Sequence, residues 1–581
     1  VAQELINKVK SKCCGIKEIF ISMQKNVVLF MSAAALLALS SCSSKLGALS
    51  ADNFSVNPNP LETEAGKVPT TINGKFPEKY MKKKAVVTVT PELRYADGKT
   101  AKGNGATFQG EKVAGNNQTI QYKVGGNYTM NTSFDYVPEM QKSDLYLTFD
   151  AYVGKKKVNV PEVKVATGVI STSEFYKKTL ASDGACIAPD SFQRVKAQKQ
   201  EAEIKFLINQ ANLRKSEMKN NSVKEFVQML KKINRDKEGL NIKNVEVAAY
   251  ASPEGGVKFN DKLASKRQNT SEKYVKQTLK KTKVNTDVDA RYTAQDWDGF
   301  QELVAASNLQ DKDVILRVLS MYQDPQEREQ QIRNMSAGFR ELADGILPEL
   351  RRSRLIINYE TIGRSDDQIK EQYNADPTKL SADELLYAAA IEDNADKKEA
   401  IYKKTAEIYP NDNRAFNNVA ALEFAKGNND AAKEYLAKAV NAKSDAAEAN
   451  ANKGLVALLE GNTAEAQNHI AKATGANDLN KALGALNIAN GKYAQAEQNF
   501  NGVNSNTAAL AQILNKNYAG AISTLNGVKN KTGVTDYLLA IANARQGNND
   551  AASSYLKSAL QKDPSLASYA ANDLELINVS K

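Results

Sequence analysis

The sequence predicts a multidomain protein: a β-sandwich, then an α/β sheet layered with helices, then an all-α solenoid of repeated helix pairs. Three observations predict it. Apolar and polar residues alternate with a period of two in stretches of 52–172. Strand-like and helix-like patterns then alternate across 201–362. From 378 onward the chain repeats a glycine-led motif, with 34 residues between Gly427 and Gly461. A length of 581 residues accommodates roughly three or four domains of about 150 residues each.

The leader comes first. An apolar run of 13 residues, 27–39, follows Lys25 and ends at small residues. A basic start, an apolar core and small residues before a cut describe a secretory signal peptide, 23–41. The run is too short for a membrane span of ~20 residues. Leu39-Ser40-Ser41-Cys42 resembles the lipobox of bacterial lipoproteins. That resemblance implies cleavage before Cys42, acylation of its sulfur and new amino group, and anchoring in membrane lipid. Ser43 is not an acidic retention residue, and no acidic cluster follows Cys42. By the same resemblance, the mature protein is expected on the outer membrane, facing the periplasm. Residues 1–22 do not look like a signal n-region and Met23 is a natural start, so 1–22 read as a non-native upstream segment. Residues 42–51 read as a tether.

Composition then narrows the function. Hydrophobic content of 42% and charged content of 25% are ordinary for globular domains. The net charge of +11 suits an anionic cell wall or lipid head groups, or serves only solubility; nucleic acid is not an expected partner in an envelope. Beyond the lipidated Cys42, the mature chain has only Cys186, so no disulfide framework is expected. A single histidine, His469, in an alanine-rich helical context, leaves no His-based triad or multi-His zinc site. No nucleophile–base pair or phosphate loop stands out, so the chain reads as a non-enzyme without cofactor or metal.

In 52–172 the strand signals are clearest at 145–153, where Leu145, Leu147, Phe149, Ala151 and Val153 share one face. Val86-Val87-Thr88-Val89-Thr90 repeats the pattern ahead of Pro91. Turn signals such as Asp97-Gly98, Gly103-Asn104-Gly105 and Gly125-Gly126-Asn127 punctuate it. About seven short strands at this spacing suggest an immunoglobulin-like sandwich, a spacer or protein-contact module. Residues 173–200 read as a connector.

Strands are expected at 202–208, 244–250, 286–292 and 354–359, with helices at 221–234 and 260–279. At the second strand's end lies Ala249-Tyr250-Ala251-Ser252-Pro253-Glu254-Gly255, and the next helix opens Asn260-Asp261-Lys262-Leu263-Ala264-Ser265-Lys266-Arg267. Asn260, Leu263, Arg267 and Gly255 resemble, in register, the loop and helix of the OmpA C-terminal family, the peptidoglycan-binding module also found in MotB-type stators. The resemblance spans about 204–360. It implies a clamp for diaminopimelate in the peptidoglycan stem. Arg267 would grip the carboxylate through its planar fork, which lysine cannot reproduce, and Asn260 would fix the loop. The family's loop aspartate, which holds the ammonium, falls on Ser252 here. Glu254 is the candidate substitute and Asp261 a poorer one; without either, affinity for diaminopimelate should drop or vanish. The competing reading is a tight turn beside a solvated arginine.

An insertion at 296–348 carries helical apolar stripes around Val314, Leu316 and Leu319, suited to packing or a partner groove. Trp297, the single tryptophan, stands at its entry and reads as core. The run Leu350-Arg351-Arg352-Ser353-Arg354 resembles the family's basic entry to the last strand, and reads either as support for the ligand carboxylate or as solvated charge.

Residues 378–581 hold the repeats. Gly427-Asn428-Asn429-Asp430-Ala431-Ala432, Gly461-Asn462-Thr463-Ala464-Glu465-Ala466, Gly491-Lys492-Tyr493-Ala494-Gln495-Ala496 and Gly547-Asn548-Asn549-Asp550-Ala551-Ala552 align, with a weaker copy at Lys516-Asn517-Tyr518-Ala519-Gly520-Ala521. These copies resemble tetratricopeptide repeats, which implies stacked helix pairs whose concave face holds an extended peptide or partner helix. The expectation is therefore a scaffold that binds peptidoglycan and an unidentified protein partner. The alternative is an accessory subunit of a secretion or fimbrial assembly machine, with the OmpA-like fold turned to protein contacts.

Overall fold

The computed structural model describes residues 46–96, 98–334, 341–577 and 579. The leader, Cys42 and the first part of the tether lie outside the described residues. The chain forms two compact units: 1–189 with 402–581, and 190–401. No described helix is long and apolar enough to cross a membrane.

The first unit opens with twelve strands among the described residues, more than the seven expected. A three-stranded sheet joins Phe54–Asn57, Lys67–Phe76 and Gly126–Asp135; a seven-stranded sheet is built on Ala85–Tyr95 and Ser143–Val153. Alternation drives the pairing. Lys67–Phe76 buries Val68, Ile72 and Phe76, and Gly126–Asp135 buries Tyr128, Met130 and Phe134. Val87, Val89, Leu93, Leu145, Leu147 and Ala151 belong to the same core. Two short pairings are parallel, Phe108–Gly110 with Gln118–Ile120 and Val169–Ile170 with Leu61–Glu62, so the sheets are not purely antiparallel. Pro91 does not end its strand. It stands where one neighbour, which pairs with Val86 to Val89, gives way to another, which pairs with Glu92 to Tyr95, a place where proline's missing N–H is tolerated. Leu46 and Leu49, both inside the expected tether, are buried in this core, so that end of the stretch packs as part of the sandwich.

The repeats complete the first unit. Five helix pairs run from Asn413–Ala425 with Asn429–Ala442 to Gly533–Arg545 with Asn549–Lys562. The turn glycines Gly427, Gly461, Gly491 and Gly547 adopt φ of +80°, +80°, +72° and +80°, the left-handed region where side chains are strained. Lys516 takes that place in the weak copy, at φ +65°. Fully buried alanines such as Ala432, Ala466, Ala496, Ala521 and Ala552 let the helices approach. Gly454 is the tightest such contact on Ala447–Leu459: an added Cβ would lie 2.5 Å from Ile470 Cγ1 and 3.2 Å from the Ala466 carbonyl. Gly454→Val is expected to destabilise the unit by about 2 kcal/mol, because overpacking a closed helix contact outweighs any gain in helix propensity. Urea unfolding followed by circular dichroism checks it.

The second unit is a four-stranded sheet ordered Val195–Lys205, Arg352–Ile362, Leu240–Tyr250, Asp287–Thr293. The first two contacts are antiparallel and the last is parallel. Asn221–Arg235 and Val257–Thr282 cover the sheet through Val223, Phe226, Leu230, Val275 and Leu279, packed with Ile204, Val245, Val247, Leu355 and Ile357. The insertion has a separate small core of Phe300, Val304, Ile315, Leu319, Leu342 and Leu350. The first strand starts at Val195, inside the expected connector, and the helices Asp366–Ala375 and Ala382–Ala390 group with this unit rather than with the repeats.

Candidate functional site

Each unit holds one candidate site. In the second unit, the strand Leu240–Tyr250 delivers the loop 251–256 to the start of Val257–Thr282. Gly255 takes φ +117°, and Asn260 locks the turn by donating to the carbonyls of Ser252 at 3.0 Å and Gly255 at 3.1 Å. Gln295 donates to the Gly255 carbonyl as well, at 3.0 Å.

Arg267 lies two turns beyond Asn260 on the same helix face, only 1% exposed. Its Nη1 donates to the Tyr250 carbonyl at 2.8 Å, Nε to Gln210 at 3.0 Å and Nη2 to Leu207 at 3.2 Å. The guanidinium also stands 5.1 Å from the Phe206 ring centre. Burial, followed by the charge of Arg351, pushes the Arg267 pKa down to about 10, so it remains a cation at neutral pH.

Ser252 is buried and donates its hydroxyl to Glu254 Oε1 at 3.0 Å. The same oxygen takes Arg351 Nη2 at 2.7 Å and Nε at 2.8 Å, with both side chains largely shielded from solvent. Glu329 of the insertion accepts the Gly255 N–H at 3.1 Å. The space left among Pro253, Glu254, Trp297 and Leu347 is about 20 Å³, room for a single water. A ligand carboxylate would have to displace Glu254 from Arg351 or three carbonyls from Arg267.

Sequence reasoning placed Ser252, Glu254, Asn260 and Arg267 around one loop, and they are together there. It missed Gln295 and Glu329, and it left the arginine run 351–354 between support for a ligand carboxylate and solvated charge, whereas each of these arginines is paired with a carboxylate of the unit. Arg351 pairs with Glu254, Arg352 with Glu203 at 3.2 Å and Asp296 at 3.5 Å, and Arg354 with Glu201 at 2.7 Å. The run itself was visible; its glutamate partners, 97 to 153 positions away, were not. Burial raises the Asp296 pKa, while Arg352 and the Gly299 N–H oppose that shift.

In the first unit, the face built by the first helix of each repeat pair is occupied by the chain's own segment 172–189. Phe175 stacks on Tyr537, ring centres 5.1 Å apart, and Tyr176 donates to the Leu458 carbonyl at 3.0 Å. The Asp183 carboxylate accepts the Asn506 and Thr507 N–H groups at 3.0 and 2.6 Å, at the start of Asn506–Leu514. Asn452 accepts the Cys186 N–H at 2.7 Å and donates to its carbonyl at 2.8 Å. Asn418 treats Ala188 the same way, at 2.7 and 3.0 Å, and Asn417 adds a bond to the Cys186 carbonyl at 3.0 Å. Burial pushes the Cys186 thiol up to about 12, which keeps it protonated and unreactive.

No protein-family model and no curated protein matches the chain. Among solved structures, a tetratricopeptide repeat protein from Parabacteroides merdae is 14% identical with a TM-score of 0.26, over 40% of this chain and 94% of that one. PilF of Pseudomonas aeruginosa is 17% identical with a TM-score of 0.25, over 35% and 95%. PilW, a type IV pilus biogenesis factor, is 18% identical with a TM-score of 0.25, over 37% and 96%. Likeness this loose carries no functional argument; the repeated helix pairs of the chain itself define its tetratricopeptide-like array.

Proposed function

We propose that the protein is a non-enzymatic scaffold of the bacterial envelope, lipidated at Cys42 and held at the outer membrane facing the periplasm. Its repeat array serves protein partners. Its OmpA-like unit serves protein contacts too, as an accessory part of an assembly or secretion machine, rather than gripping the cell wall. One observation carries that choice: every charged group of the expected clamp is already paired inside the unit, Arg267 on three carbonyls and Glu254 on Arg351. The reading it displaces is binding of peptidoglycan through the diaminopimelate stem. That reading keeps one support, the register of Asn260 and Arg267 behind the loop.

Co-sedimentation with purified sacculi separates the two. The soluble chain begun after Cys42 is expected to remain in the supernatant, as is Glu254→Gln. If the parent pellets and Glu254→Gln does not, Glu254 is the ammonium partner and the protein is a wall anchor.

A further inference from the structure

The segment 182–188 is held differently from the anchor that precedes it. Phe175, Tyr176 and Leu180 are apolar anchors buried in the array's core. Downstream, the side chains are small, Gly184, Ala185, Cys186 and Ala188, while Ile187 points outward at 39% exposure. Cys186 adds a small buried side chain to that core, and the rest of the hold on this stretch is polar. Asn418 and Asn452 each offer a carboxamide to both the N–H and the carbonyl of one residue, Ala188 and Cys186, as a neighbouring β-strand would. Asn418 and Asn452 each stand nine residues before a turn glycine, Gly427 and Gly461, so they are the same position of successive repeats. The register of two residues on the segment against one repeat on the array is a way to read extended main chain. The carboxylate of Asp183 on the first amides of Asn506–Leu514 sets the direction.

We infer that this face is a groove for an extended peptide, closed in cis by residues 182–188, and that its ligand is a peptide of the same chemistry. That ligand has an acidic residue followed, three and five positions on, by small residues whose main chain the asparagines read. Water can take over the bonds of Asp183, Asn417, Asn418 and Asn452 when the segment leaves, and the apolar surface exposed is that of the small side chains Cys186 and Ala188, so release costs less than withdrawing large apolar anchors. The aromatic anchor at Phe175 keeps the released stretch nearby, so an outside peptide competes against a high effective concentration. The inference rests on the first unit alone and stands whether or not the second unit binds peptidoglycan.

The test uses the whole chain begun after Cys42 and a fluorescent synthetic peptide of residues 180–189, followed by anisotropy. Asp183→Lys with Ala188→Pro weakens the cis segment without touching the groove. The expected result is saturable binding to that variant, about ten-fold or more tighter than to the parent, and abolished by adding Asn452→Leu. Equal binding to parent and variant would put the peptide elsewhere and overturn the inference. A variant with parental helix content that binds no peptide would make the segment a fixed joint, and would also overturn it. Should the variant not fold, hydrogen exchange of the parent decides. The Cys186 and Ala188 amides should exchange about ten-fold or more faster than amides of Gly533–Arg545, through a local opening. Exchange only together with that helix would sink the groove reading.

Discussion

Arg267→Ala is expected to lower the stability of the second unit by about 2–4 kcal/mol, the largest effect of any substitution around the loop. The alanine takes one donor from each of the carbonyls of Leu207, Gln210 and Tyr250, of which Leu207 keeps the Gln210 N–H at 3.1 Å. A buried acceptor left unpaired costs about 1–3 kcal/mol, and the carbonyls of Leu207 and Gln210, on exposed residues, lose less than that of Tyr250. Two effects pull the other way: water can enter the vacated space, and the desolvated cation, whose pKa burial has pushed down to about 10, no longer has to be buried. Neither restores three bonds of fixed geometry. Arg267→Lys should fall between parent and alanine, since an ammonium is a point donor and cannot span the three carbonyls. Trp297 reports the result cleanly, because it is the single tryptophan and belongs to the second unit. Urea unfolding by its fluorescence, against circular dichroism for the whole chain, isolates that unit. A loss below about 1 kcal/mol would free Arg267 for a ligand and revive the clamp.

What the sequence made legible follows from what local pattern can encode. Ser143–Val153 was visible because Leu145, Leu147 and Ala151 are buried at alternate positions, and Asn221–Arg235 because Val223, Phe226, Leu230 and Ile233 recur at helical spacing. The start of Val195–Lys205 was invisible for the converse reason. Residues from Val195 to Lys199 lie on an edge strand exposed on both faces, so no period of two marks them. The candidate loop was legible in its residues but not in its state. Arg267 is matched by main-chain carbonyls 57 and 60 positions away at Gln210 and Leu207, and side-chain patterns say nothing about carbonyls. Glu254 is answered by Arg351, 97 positions away. The segment 173–189 fell within the stretch 173–200 that read as a connector, because its small residues carry no period. The trace it left was on the other partner: an asparagine recurring at one repeat position, where a helix face needs no asparagine for packing.

Phe175→Ala is expected to destabilise the first unit by about 3–5 kcal/mol. Phe175 is 1% exposed, with ring centres of Tyr537 and Tyr569 at 5.1 and 5.2 Å. Truncation removes the aromatic contacts and opens a cavity that the two tyrosines cannot readily close. The Tyr537 hydroxyl is fixed on Asp573 at 2.7 Å, and the Tyr569 hydroxyl on the Ser171 carbonyl at 3.2 Å. Phe175 thus joins the sandwich's exit to the last repeat pair and its capping turns, and its loss should weaken both. Phe175→Leu should recover about half, since it refills volume without the stacked ring. Differential scanning calorimetry of the chain begun after Cys42 checks the size of the effect. The same substitution should also raise exchange at the Cys186 and Ala188 amides, because the stretch that follows is tethered through this ring. A Phe175→Ala protein as stable as the parent would mean that the repeats hold their shape without the segment, which would then be a passenger on the array rather than part of its core.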